Sequence, residues 1–513
     1  MKKFSIMVIV AVMLFSLIAC SAPATTSPEP EKPAAESEVS QPSTSDAKKT
    51  LTVAINRDPA TFYPYYQLAG WGRALYTPVF EALFMYDENT EPEPILVDSY
   101  TIDDDEKGIV LNLKKGVLFH DGSEMKANDV MFSMQMLLES TWKSNARDVN
   151  MTESKVIDDY TVHFRYDTVP GPLLYQLVNV YVLSEKYQTS VNKDDWTFKC
   201  IGTGPYMWTE NYSVGSEYHL AKFEGHREPR AFDEIVIRVV PESSVQTIEL
   251  ETGNVDLAMG LSLADVKRFE DDANDGFDVT WGPAIGSAAI MVSTWDAPYD
   301  VVEVRQALAV YSDLAKVPQN IYAYGIPAWA PAPEVHTYNI EKAKELLAAA
   351  GYADGVTLDL YVLNTTAFTQ TAEVLLASAA RAGITLNVIP TEQAAFQSLM
   401  GSKKSGLWLQ TYYTNGDPYI MLSAYANGVH NERMNLGVDE KFLDMEATVQ
   451  KAFQILDPKA RALEYQNAMN ISYDRGYTIP IMDTADVGVH VEGLKGFWMG
   501  GPAYHYEDAY WGD

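Results

Sequence analysis

The sequence predicts an α/β fold spread over more than one domain, and three observations carry that reading. Residues 234–241 (EIVIRVVP) form a continuous apolar strand, followed by a helix to about Gly253 and a second strand at 254–258, the spacing of a parallel crossover. The second half repeats the pattern with strand 357–363, helix 371–382, strand 384–389, helix 393–400 and strand 407–412, which makes two consecutive βαβ units. A length of 513 residues, 47% hydrophobic and 21% charged, exceeds what one core organises.

The N-terminus is read before the folded part. Lys2 and Lys3 precede an apolar run at 4–18, too short for a comfortable membrane span, which ends in Leu17-Ile18-Ala19-Cys20. This resembles the bacterial lipoprotein signal, in which the cysteine is acylated and becomes the first mature residue; an ordinary signal peptide with a chance cysteine is the alternative. Lipid at Cys20 would hold the protein on the extracytoplasmic face of the cell membrane without a spanning helix. Residues 20–48 are Ser, Thr, Pro, Ala and Glu with almost no large apolar side chains, the composition of a disordered tether. Cys200 is the one further cysteine, so the mature chain has no intramolecular disulfide, and Cys200 reads as a small buried residue. A formal charge of −32, two units more negative without Lys2 and Lys3, argues against nucleic acid as a partner.

In chain order, residues 51–55 are a strand, followed by a loop holding Phe62, Tyr63, Tyr65, Tyr66 and Trp71 that serves either as a core corner or as a binding wall. A helix is expected at 74–83. Ile109, Leu111 and Leu113 share one strand face; a short strand at 117–119 and the turn His120-Asp121-Gly122-Ser123 follow, and then a helix capped by Asn128 or Asp129. His120 beside Asp121 has the makings of a general base, although such a pair in a turn is usually structural. Residues 155–166 are a strand pair turning at Asp158-Asp159. Gly202 and Gly204 mark a tight backbone without the flanking residues of a phosphate loop. Ser243 with Gln246 offers a capping box, and Asn339 caps a helix at 340–350. Strands at 477–482 and 487–491 and an aromatic tail are expected to return to the first domain. Ligands of parallel sheets sit beyond the carboxyl ends of the strands. Tyr412, Tyr413, Thr414 and Asp417 therefore form the ligand-wall candidate, with a structural turn capped by Asp417 as the alternative.

Several blocks together resemble the bacterial extracellular solute-binding proteins of the peptide/nickel type, the receptors of ABC importers. They are LKKGVLFHDGSEMKANDVMFSM, IGTGPYMW, FDEIVIRVVPE with ELETGNVDLAMG, APYDVVEVRQAL, YNIEKAKELLAAAGYADG, RAGITL and NGDP, in order across nearly the whole mature chain. The resemblance implies a two-lobed, periplasmic-binding-protein-like (Venus flytrap) α/β fold with an extra subdomain in lobe I. By position, 1–19 is the signal peptide, lobe I takes 49–85, 203–283 and 484–513, the extra subdomain 86–202 and lobe II 284–483.

The same resemblance implies a monomeric, non-enzymatic receptor without cofactor, whose partners are a small-molecule or peptide ligand and the permease subunits of an ABC transporter. Tyr66, Gln67, Trp71, Trp281, Tyr412, Tyr413, Thr414 and Asp417 are the expected ligand-binding residues. Peptide-binding members carry an Asp four residues before the proline of NGDP, where it receives the peptide α-ammonium; here Thr414 stands there. Nickel-type members are similar in having a His thirteen residues after the motif's Asp, and His430 occupies that position, although an arginine expected near 175–183 is absent. Peptide or peptide-like solute leads, and a metal chelate at His430 or a sugar or other small solute are the alternatives. A hydrolase has no Gly-x-Ser-x-Gly or His-Glu-x-x-His to support it, and a lipid-anchored adhesin fits a parallel α/β pattern poorly.

Overall fold

The structure is a computed structural model that describes residues 49–68, 70–103, 107–271, 276–310, 339–413, 416–426 and 429–512. At the centre of a seven-stranded sheet, Thr50–Ile55 runs parallel to Glu234–Val239 on one side and Leu257–Met259 on the other. The helix Ser243–Glu251 joins those two flanking strands, so the expected crossover spans the central strand. Leu51, Val53, Ala54 and Ile55 are all buried, which explains their reading as a continuous apolar run: both faces of the sheet are covered. Antiparallel strands complete the sheet, Glu217–Lys222 and Tyr206–Ser213 at one edge and Val487–Val491 and Phe277–Trp281 at the other.

The second sheet has five strands. Ile384–Thr391, Val356–Leu363 and Gly406–Tyr413 are parallel, linked by the helices Thr366–Arg381 and Gln393–Met400, as the two βαβ units require. Gly286–Ser293 and Thr478–Thr484 add antiparallel partners. Alternation along the strands builds two cores: Ala289, Met291, Tyr361 and Trp408 on one face, Ala288, Ile290, Leu360 and Leu407 on the other.

A four-stranded antiparallel sheet carries Val97–Asp103, Gly108–Leu113, Thr161–Arg165 and Lys155–Asp158, with the helix Ala127–Glu139 packed on it. Ile109, Leu111 and Leu113 are buried and Asn112 is exposed, as the alternation predicts. These residues share one continuous core with Leu51 and Val53 of the seven-stranded sheet.

Several expectations need correction. The helix placed at 74–83 runs over Gly70–Tyr76, since Pro78 cannot continue it. Residues 117–119 form no strand; a single bridge joins Leu118 to Glu124. The helix after His120 starts at Ala127, and Asp129, in its first turn, accepts the Lys126 N–H at 2.8 Å instead of capping from outside. Ser243 is already helical, with its hydroxyl on Asp265, while Gln246 reaches back to Val240 O at 2.7 Å. The helix expected at 371–382 begins at Thr366. Of the two closing strands, Val487–Val491 joins the first sheet, whereas Thr478–Thr484 stays in the second.

The His120 turn is structural. Its Nε2 donates to Gly204 O at 3.0 Å, its Nδ1 accepts the Gly202 N–H at 3.4 Å, and burial lowers its pKa to about 4. The two glycines are needed by packing: a Cβ at Gly202 would lie 2.1 Å from Val79 O, and one at Gly204 2.5 Å from Pro78 O. Cys200 is buried, and that burial raises its thiol pKa.

Candidate functional site

Two segments carry the chain between the large sheets, and they lie side by side. Phe277–Trp281 continues into Gly286–Ser293 through 282–285, and Thr478–Thr484 continues into Val487–Val491 through 485–486. Trp281 pairs with Val487 in the first sheet and Gly286 with Thr484 in the second. Between those pairs the Gly282 N–H donates to Asp486 O at 2.9 Å. Two short, bonded crossings of this kind are where a hinge would bend.

The registers place the carboxyl ends of the parallel strands at this hinge. Ala258 pairs with Val489, so Leu257–Met259 ends beside the start of Val487–Val491, and its parallel neighbour Thr50–Ile55 ends with it. In the second sheet Tyr413, the last residue of its strand, pairs with Gly286. A crevice beyond strand ends is where α/β sheets bind ligands, and here both sheets offer such ends to one another.

Around this crevice the expected residues divide. Tyr66 is 44% exposed, its ring edge-on to Tyr63 at 4.7 Å. Gln67 lies against the first turn of the helix Gly70–Tyr76, where a Cβ on Gly72 would come within 2.7 Å of its Cγ. Trp281 is 45% exposed and donates from Nε1 to Glu270 at 2.7 Å. Tyr412 turns toward the second lobe's core, its hydroxyl bonded to Gln410 and Met291, and burial holds its phenol well above the ordinary range. Trp71, Tyr413 and His430 lie in described elements, but their side chains are outside the described set, and Thr414 lies outside the described residues altogether.

Asp417 is 1% exposed and has no free face for a ligand. Its Oδ1 accepts the Tyr419 N–H at 2.8 Å at the start of the helix Tyr419–Ala426, and its Oδ2 accepts from Arg461 Nε at 3.0 Å. The structural alternative thus describes this carboxylate, and the ligand-wall assignment does not. Nearby, Gly416 (φ +81°) sits so close to Thr90 O and the Tyr175 ring that a Cβ would come within 2.7 and 2.8 Å. Arg147 donates to Tyr419 at 3.0 Å and the Gly171 N–H to Phe453 O at 2.6 Å, so the segment 86–202 also meets this part of the second lobe.

One residue that sequence reasoning missed is Asp486. It lies within a two-residue crossing, burial raises its carboxyl pKa, and the Tyr504 hydroxyl opposes that rise. A lone carboxylate between two short strands gave no motif to read; its only signal was an acid where the chain leaves one sheet for another.

Two α/β lobes joined by paired crossings, with the parallel strands of both ending at the join, define a two-lobed solute-binding protein. The profile of the bacterial extracellular solute-binding proteins, family 5 (middle region), matches residues 91–432, and the chain belongs to that family. It is 24% identical to heme-binding protein A of Haemophilus influenzae over 91% of this chain and 92% of that one, and 24% identical to glutathione-binding protein GsiB of Salmonella typhimurium over 90% and 94%. Among solved structures, the substrate-binding protein CtaP of Listeria monocytogenes superposes with a TM-score of 0.80 at 20% identity, covering 91% of this chain and 100% of its own. At these identities the likeness is one of fold. Among the described residues no helix is long and apolar enough to cross a membrane.

Proposed function

We propose that the protein is the extracytoplasmic receptor of an ABC importer, capturing a peptide or peptide-like solute between its lobes and passing it to the permease subunits. The observation that carries this reading is the convergence of strand carboxyl ends from both sheets on a paired hinge. It is supported by relatives and fold neighbours named for glutathione, for a Ser-Thr-Ser-Ala peptide and for Met-Leu. Lobe I comprises 49–85, 203–283 and 484–513, with 86–202 as its extra subdomain, and 284–483 is lobe II. Acylation at Cys20, with 20–48 as tether, places the receptor at the cell surface. Tyr66, Gln67, Trp71, Trp281, Tyr413 and Thr414 remain the proposed wall. With Thr414 at the ammonium position, we assign the ligand's cationic end to Asp486, which lies in the crossing between the two sheets.

Mass spectrometry of protein purified from rich medium, followed by calorimetry with the recovered ligand, tests this reading. A copurified peptide whose affinity falls at least tenfold in Asp486→Asn is expected. Bound nickel lost in His430→Ala, or turnover of a peptide, would overturn it. For the anchor, Cys20→Ser should move the protein from the membrane fraction to the medium.

A further inference from the structure

We propose a divalent-cation site in the C-terminal return of the first lobe, formed by His505, Glu507 and Asp508 and suited to a borderline ion of the zinc class. The hairpin of Trp498–Gly500 and Ala503–His505 brings the chain to these residues, and the Tyr506 hydroxyl bonds to Ala74 O, anchoring the stretch to the helix Gly70–Tyr76. One ligating atom from each of the three lies within 4.8 Å of the others. His505 and Glu507 are 3% and 5% exposed, and all three line a cavity of about 490 Å³ whose wall also holds Asp87, Glu93 and Glu228.

The hydrogen bonds present leave this group incomplete. His505 Nδ1 and Glu507 Oε1 are 2.9 Å apart, and the His505 ring stacks on Trp498 at 3.8 Å. Trp498 Nε1 donates to Asp508 Oδ2 at 3.0 Å, and Arg230 lies 3.1 Å from Asp508 Oδ1. That accounts for Asp508 but not for its neighbours: His505 Nε2 and Glu507 Oε2 are buried with no hydrogen-bond partner among the described residues. A purely structural latch would satisfy one atom of each residue and leave two buried polar atoms unpaid for in free energy. A cation answers the deficit.

The donor set selects the ion class. One imidazole nitrogen with carboxylates suits zinc and its neighbours better than magnesium or calcium, which take oxygen shells, and there is no thiolate to draw softer ions. The cavity has room for waters to complete the coordination. An ion there would tie the C-terminal return to the wall formed by residues 87–93.

The test uses the mature chain stripped with EDTA and titrated with Zn²⁺ by calorimetry, with metal content measured after dialysis. We expect one equivalent bound by the wild type and by His430→Ala, and at least a tenfold loss of affinity in Glu507→Gln and in Asp508→Asn. Saturating Zn²⁺ should raise the Tm of the wild type by about 2 °C or more, since an ion that binds the native state alone stabilises it. Asp508 is partly exposed, so its variant decides the matter if Glu507→Gln fails to fold. No stoichiometric ion in the wild type, loss of the ion in His430→Ala, or full affinity in Asp508→Asn overturns the proposal.

Discussion

Two buried carboxylates, Glu81 in the first lobe and Asp417 in the second, each face an arginine, yet their pKa values move in opposite directions. Burial pushes both up. At Glu81 the hydrogen bonds from His226 and Arg227 more than reverse it, setting the group at about 2. At Asp417 burial prevails over Arg461 and the carboxyl is raised. The geometry explains the difference. Arg227 offers a fork, Nη1 to Oε2 at 2.8 Å and Nη2 to Oε1 at 2.5 Å, with His226 at 3.6 Å. Among the described hydrogen bonds Arg461 gives Asp417 its Nε, and its Nη1 serves the carbonyls of Ile455 and Leu456 at 2.9 and 3.0 Å. An arginine stabilises a buried carboxylate by the number of its N–H groups that reach it, and shared arginines do less.

The largest effect should come from Arg461→Met, which strands Asp417 without a cation and should cost about 3–5 kcal/mol at pH 7 in urea unfolding. Because Arg461 lowers the Asp417 pKa, its loss raises that pKa further, and the deficit should shrink as the pH is lowered and the variant's carboxyl takes a proton first; a deficit constant with pH would break the contrast. Glu81→Gln should cost about 3 kcal/mol at neutral pH. Here the folded pKa lies below the ordinary 4.5, so the Glu81 contribution is complete above that value and is lost as the pH falls toward 2. Wild type and variant should therefore converge across that acid window, and parallel curves would exclude Glu81 as the source. Arg227→Lys keeps the charge and removes the fork, with an expected loss of about 1–2 kcal/mol by thermal unfolding. His226→Ala should raise the Glu81 carboxyl pKa in a carbon-13 titration, since the His226 ring is buried against that carboxylate at 3.6 Å. Equal losses from His226→Ala and Arg227→Lys would mean that proximity of charge, not the fork, sets the difference.

The central elements were legible because their signals are local. Alternation at Ile109, Leu111 and Leu113, continuous burial in Glu234–Val239, and the Asn339 side chain that caps Ile340–Ala349 each depend on neighbours within a few residues. Two of the errors fall where a distant residue overrides the local pattern. Ser243 abandons its cap for Asp265, which is 22 residues away, and Thr478–Thr484 stays in the second sheet because Gly286–Ser293 offers it an edge. The site was less legible than the fold. NGDP identifies a turn, but whether its acid faces ligand or core depends on Arg461, 44 residues further on.

By itself, the sequence determined the α/β class and the two crossovers in the second half, since both follow from periodicity, while the order of family blocks rests on a resemblance. Tertiary structure alone decided that Asp417 is committed to Arg461, that Tyr412 turns inward, and that Asp486 occupies the hinge. The reason is physical. A carboxylate's role is set by the cations and N–H groups that surround it in space, and at these positions the chain draws its partners from far along its length.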